Sequence, residues 1–310
     1  MPALDRLHRL HRFAWPLAVA NLVANIGIVV TGGAVRLTGS GLGCPTWPRC
    51  TDESYVAHGE LGVHGAIEFG NRMLTWALVV IAIACFVAVG RTGRTRATVL
   101  AAVVALGIPA QAVLGGITVL TDLNPWIVAG HFLVSMAIIG VCVALLDELR
   151  GPTRPASDRL RPLAWLVLAA TWVVLYLGTV VTGSGPHSGD LESRRTGLDP
   201  QVMSHVHAAA VYALLALTLG LAVLAHGLGA TVVRRAAGAL LALLLVQGVL
   251  GFVQYFTDLP EVLVGLHMLG AALVSAAVTW TLLSTMSRRA EWAQPKSSGS
   301  SATATNSSDR

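Results

Sequence analysis

The chain has 310 residues, 54% of them apolar and only 12% charged, with a net charge of +5 and a mean hydropathy of +0.68. A soluble domain carries about 25% charged residues, so an ordinary soluble protein is excluded, as is disorder over most of the length, which needs low hydrophobicity. Thirteen prolines and 32 glycines are too few for a collagen-like or low-complexity chain, and the basic excess is read as membrane topology, with no nucleic acid as partner.

Eight stretches reach the roughly 20 mostly apolar residues of a spanning helix. They run over 14–35, 66–90, 97–119, 127–147, 162–183, 203–226, 236–256 and 262–284. None alternates with period two, which argues against a lipid-facing barrel. The first is too long for a signal-peptide core and leads into a Gly-rich segment rather than a small-residue cleavage site. The expected fold class is an all-α integral membrane protein of eight transmembrane helices, multi-pass in the plasma membrane.

Arginine and lysine in the short loops set the orientation. Arg6, Arg9 and Arg12 precede span 1; Arg91, Arg94 and Arg96 follow span 2; Arg150, Arg154, Arg159 and Arg161 follow span 4. Arg234 and Arg235 follow span 6, and Arg288, Arg289, Lys296 and Arg310 follow span 8. Sixteen of the 21 basic residues therefore share one side, which makes both termini cytoplasmic. The loops 36–65, 120–126, 184–202 and 257–261 face outward. The chain divides into a cytoplasmic N-terminus (1–13), an N-terminal four-helix half (14–150), a C-terminal four-helix half (151–284) and a Ser/Thr/Ala-rich tail (285–310) expected to be disordered.

The division rests on an internal repeat. QAVLGGITVLTDLNPWIVAGH (111–131) aligns without a gap on QGVLGFVQYFTDLPEVLVGLH (247–267). Gln111, Leu114, Gly115, Thr121, Asp122, Leu123 and His131 recur 136 residues later, ending at His267. VVTGG (29–33) is echoed more weakly by VVTGS (180–184). The 136-residue offset also places His207 over Asn71, so the halves carry equivalent pairs, Asn71 with His131 and His207 with His267.

An ionisable group at membrane depth is costly and marks a functional candidate. Two imidazoles from facing helices suit the axial positions of a haem iron, with the macrocycle filling the bundle interior. The blander alternative is a histidine hydrogen-bonded to a neighbouring helix, and zinc would need further ligands. Glu68 lies one turn before Asn71 on the same face, where a carboxylate can move protons or stabilise a cation; its alternative is an ion pair with Arg72 or Arg36. His64, one turn before Glu68, is a substitute ligand, a proton relay or a loop histidine. Arg36 and Arg72 suit haem propionates or interfacial snorkelling. Cys44 and Cys50 share the first outward loop, where a disulfide is expected, either structural or redox-active. Cys85 and Cys142 are expected to be packing residues.

These residues resemble the haem A synthase family. The resemblance covers nearly all of 14–284 and is carried by VTGGAVRLTGSGLGCPTWPRC (30–50), IEFGNR (67–72), 111–131 and VVTGSGPHSGD (180–190). It implies an eight-span oxidoreductase that takes haem O as substrate and oxidises its C8 methyl, through an alcohol and an aldehyde hydrate, to the formyl of haem A for cytochrome oxidase. It further implies haem b as cofactor on His207 and His267, His131 as a ligand of the substrate haem, and Glu68 as the catalytic glutamate. Asn71, Arg72 and Arg36 would line the substrate-haem pocket, and Cys44 and Cys50 match the family's cysteine pair. Haem O synthase, cytochrome oxidase assembly factors and an unidentified electron donor are the implied partners, besides the lipid bilayer. Many members have E-x-x-H-R where this chain has Glu68-Phe-Gly-Asn71-Arg72, which leaves three readings: five-coordinate iron, ligation by His64, or an asparagine that suffices. A dihaem b-type cytochrome linked to quinol is the alternative function, and a proton-coupled transporter a third.

Overall fold

A computed structural model describes residues 9–150, 155–190 and 193–287. Eight helices long and apolar enough to cross a membrane account for most of them, so this is a multi-pass membrane protein. They are α1 (Ala14–Leu37), α2 (Gly62–Gly90), α3 (Thr95–Leu120), α4 (Pro125–Arg150), α5 (Arg161–Ser184), α6 (Pro200–Gly227), α7 (Thr231–Phe256) and α8 (Glu261–Ser284). Short 3₁₀ turns at Arg9–Phe13 and Gly59–Leu61 precede α1 and α2. The expected N-terminal basic residue Arg6, the tail beyond 287, and Arg154, Arg288, Arg289, Lys296 and Arg310 lie outside the described residues.

The helices outrun the apolar stretches at several ends. Helix α2 begins at Gly62, α6 at Pro200 and α7 at Thr231, so Arg234 and Arg235 belong to the first turns of α7 and not to a loop. Helix α6 starts early because the Asp199 side chain accepts from Gln201 N and Val202 N, at 2.8 and 2.9 Å, with Pro200 at the first position. That is the arrangement which satisfies free amide donors at a helix start. Hydrogen-bonded backbone gains from continuing through the interface even where side chains turn polar, since long arginines can snorkel.

Helices α1 to α4 pack in a ring, each against its two sequence neighbours and α4 back against α1; α5 to α8 do the same. Diagonal partners, α1 with α3, α2 with α4, α5 with α7 and α6 with α8, make no backbone approach among the described residues. The rings meet through α1, α4, α5 and α8. Val29, Met136, Ile139, Leu175 and Ala272 form the apolar seam, and Ser275 Oγ donates to the Met136 carbonyl at 2.8 Å. Large exposed hydrophobics such as Trp76, Leu106 and Val246 face outward, as expected where lipid tails replace water.

Each ring is dense at one end. In the first, Ala18, Cys85, Ala101 and Leu145 close one end and Leu78, Val104, Ile108 and Cys142 fill the middle. In the second, Val167, Leu214, Leu221, Leu240 and Val278 do the same. Among the described residues no buried apolar cluster closes the other end, which carries the 38–61 loop. The hairpins there repeat one unusual backbone. Asp122 and Leu123 (φ 51° and 54°) and Asp258 and Leu259 (φ 56° and 58°) are left-handed, a conformation that costs about 1–3 kcal/mol per non-glycine residue. The reversal brings Leu123 N to Thr118 O (2.8 Å) and Leu259 N to Gln254 O (3.0 Å), satisfying carbonyls at the helix ends.

Candidate functional site

The open end holds His131, His207 and His267, Asn71 and Glu68. Three histidines share one local design. His131 of α4 lies against Gly115 of α3, His207 of α6 against Gly178 of α5, and His267 of α8 against Gly251 of α7. A Cβ on these glycines would stand 3.3, 3.3 and 3.7 Å from the respective imidazole Cε1. Each imidazole thus packs beside a glycine, tightly at Gly115 and Gly178 and at ordinary contact distance at Gly251. In all three the Nδ1 atom is buried without a hydrogen-bond partner; the Val174 carbonyl approaches His207 without completing one there. Burying a polar nitrogen unpaired costs about 1–3 kcal/mol, and three such atoms in equivalent places call for a compensating function.

His207 and His267 stand on the diagonal helices α6 and α8. His131 (α4) and Asn71 (α2) occupy the same diagonal of the first ring. All four are half-buried, at the end without packed core. The residues present fit a bound tetrapyrrole. The second ring offers an imidazole from each side of an uncrossed interior; the first offers an imidazole facing an amide.

Glu68 is buried, at 5% exposure, and its environment is built by the first loop. Its Oε2 accepts from Cys44 N at 2.7 Å. Its Oε1 meets Arg72 Nη2 at 2.5 Å and Nε at 3.1 Å. Arg72 also donates to the carbonyls of Cys44 (3.0 Å), Thr46 (3.0 Å) and Arg49 (3.1 Å). Cys44 and Cys50 form a disulfide, so Arg72 fills the concave side of the closed loop and Glu68 ties that loop to α2. Of the two arginines open to pair with Glu68, Arg72 does so. Arg36 turns away, donating to His187 O (2.6 Å) and Thr182 O (3.2 Å), and links the rings at this end. His64 is exposed, with Nδ1 at 2.9 Å from Ser40 Oγ. The structure does not bring His64 to the level of Asn71: seven residues separate them, about 10 Å along the helix.

Two contributors were not singled out from the sequence. Trp47, inside the disulfide loop, lays its indole on Gly116 of α3, where any Cβ would enter the ring system; Gly116 adjoins the Gly115 that supports His131. Thr31 of α1 hydrogen-bonds Asn71. A tryptophan between two prolines in a Cys-x₅-Cys loop was the available signal for the first, and the VVTG echo for the second. Gly116→Val is expected to unseat Trp47 and cost about 1–3 kcal/mol through overpacking. Thermal unfolding in detergent, with proteolysis of the 44–50 loop, checks this; an unchanged melting temperature and an uncut loop would contradict it.

A model of the cytochrome oxidase assembly protein family, COX15-CtaA, matches residues 15–61 and 58–186, more than half of the chain. A protein of a Methylobacterium species named heme A synthase is 30% identical over 225 residues, covering 59% of this chain and 61% of its own. Heme A synthases of an Exiguobacterium species and of Geobacillus thermodenitrificans are each 29% identical, over 169 and 133 residues. These cover 51% and 42% of this chain and 54% and 41% of theirs. The chain thus spans about half the length of the curated relatives it matches.

Proposed function

The chain belongs to the cytochrome oxidase assembly protein family, and from that premise we propose that it is a haem A synthase, oxidising the C8 methyl of haem O to a formyl group. The observation that carries the reading is the set of three half-buried imidazoles, each with a buried, unpaired Nδ1, in two similarly packed rings, together with relatives that bear that name. His207 and His267 would hold haem b in the C-terminal ring, and His131 would hold the iron of haem O in the N-terminal ring. Haem b, when bound, supplies one-electron transfer.

Within this reading the chain's own groups have distinct tasks. Glu68 stands three residues before Asn71 on α2, about 4.5 Å along the axis, and keeps a carboxylate beside the substrate level. Oε1 is held by Arg72 and Oε2 by an amide N–H, so the group is oriented, and it can take up a proton or stabilise positive charge developing nearby. The disulfide loop, with Trp47 seated on Gly116, roofs the N-terminal ring and limits water entry. The same reading has both termini in the cytoplasm and the disulfide end outside; the basic residues at the opposite end and the persistence of a disulfide in an outward loop support it.

The test is mass spectrometry of haems extracted from the protein purified from a host that supplies haem O. Haem A or its hydroxylated precursor is expected. Haem b alone, with haem O present in the membranes, would overturn the reading in favour of an electron-transfer cytochrome.

A further inference from the structure

The four diagonal positions are not equivalent in chemistry. Three carry imidazoles whose Nδ1 atoms have no partner. The fourth carries Asn71, whose Oδ1 accepts from Thr31 Oγ1 at 2.8 Å. The supporting glycine differs as well. Aligning VVTG of α1 on VVTG of α5 puts Gly27 at the place of Gly178. A Cβ on Gly178 would meet the His207 ring, whereas a Cβ on Gly27 would meet nothing within 4 Å. Asn71 instead reaches one turn further along the same face of α1, to Thr31, with its Nδ2 at 3.9 Å from a Cβ built on Gly32. The glycine seat is kept and no ring lies on it.

A carboxamide held in this way is a poor iron ligand. Its oxygen is engaged by the hydroxyl, and an uncharged amide nitrogen donates hydrogen bonds rather than electron pairs. The other candidate, His64, is bonded to Ser40 and stands two turns nearer the disulfide end. Resting on the reading above, we propose that the haem of the N-terminal ring is ligated by His131 alone. Its opposite face is left open to a small neutral ligand of the dioxygen class, and the Asn71 NH₂ faces that ligand as a hydrogen-bond donor. Thr31 is the positioning residue that fixes the amide.

Carbon monoxide is the probe, added to the reduced protein purified with both haems, with product haems assayed by mass spectrometry on the same sample. One of the two haems is expected to bind carbon monoxide, and His131→Ala to remove that fraction while the low-spin haem of the C-terminal ring persists. Asn71→His should convert the N-terminal haem to a low-spin, bis-imidazole form and abolish carbon monoxide binding. Thr31→Val should keep the binding stoichiometry but shift the bound C–O stretching frequency, a change that a purely structural role for Thr31 would not produce. Haem A formation by a wild-type protein that binds no carbon monoxide would overturn this inference and spare the proposed function. So would carbon monoxide binding that appears only in His64→Ala, which would make His64 the second ligand. A protein that retains no haem in the N-terminal ring would overturn both.

Discussion

Glu68→Gln is expected to lower haem A formation by about 10²–10⁴-fold, the usual contribution of a positioned acid–base group, with haem content and the disulfide loop intact. The substitution is nearly isosteric. The side-chain oxygen can still accept from Cys44 N, now at 2.7 Å from Oε2, and Arg72 keeps the carbonyls of Cys44, Thr46 and Arg49. The loop keeps those anchors, and what disappears is the negative charge able to take a proton, together with the two Arg72 bonds to Oε1, which an amide NH₂ cannot accept. Turnover of haem O, followed by chromatography and mass spectrometry beside total haem and thiol content, reads the two apart. Full activity in this variant would reduce Glu68 to a clamp for the disulfide loop.

His267→Ala is expected to remove the haem of the C-terminal ring and, with it, the low-spin bis-imidazole spectrum, while substrate haem still binds through His131. The geometry supports a total rather than a graded loss. Each proposed ligand is a single imidazole, His267 packed beside Gly251 and His207 beside Gly178. His207→Ala should behave alike, and His131→Ala should spare this haem. Optical and electron paramagnetic resonance spectra of the three variants give the answer. A C-terminal haem that stays low-spin in His267→Ala would mean that another residue ligates it.

The architecture was open to reading because membrane folding makes its main decision locally. A backbone in hydrocarbon must satisfy its own hydrogen bonds, so twenty apolar residues mean a helix whatever the rest of the chain does. The eight spans follow from residue type alone, and a 136-residue offset is what pairs His207 with His267, and His131 with Asn71, in the proposed sites. Span ends followed less well. Caps such as Asp199 and basic residues that snorkel, such as Arg234 and Arg235, extend a helix beyond its apolar stretch.

The inner wiring of the site was decided only by the tertiary structure. The sequence left Arg36 and Arg72 as equal partners for Glu68. Packing gave Arg72 to Glu68 and the disulfide loop, and sent Arg36 across to the His187 and Thr182 carbonyls of the other ring. The seat of Trp47 on Gly116 and the Thr31–Asn71 bond join residues 69 and 40 positions apart. No periodicity or motif encodes such contacts, because they depend on how two helices and a loop meet in space. By itself the sequence determined which helices form and which residues stand at membrane depth, since each span answers to its own hydrophobicity. The tertiary structure decided which of those residues are already bonded and which are left free to bind, since that depends on the partner each one meets.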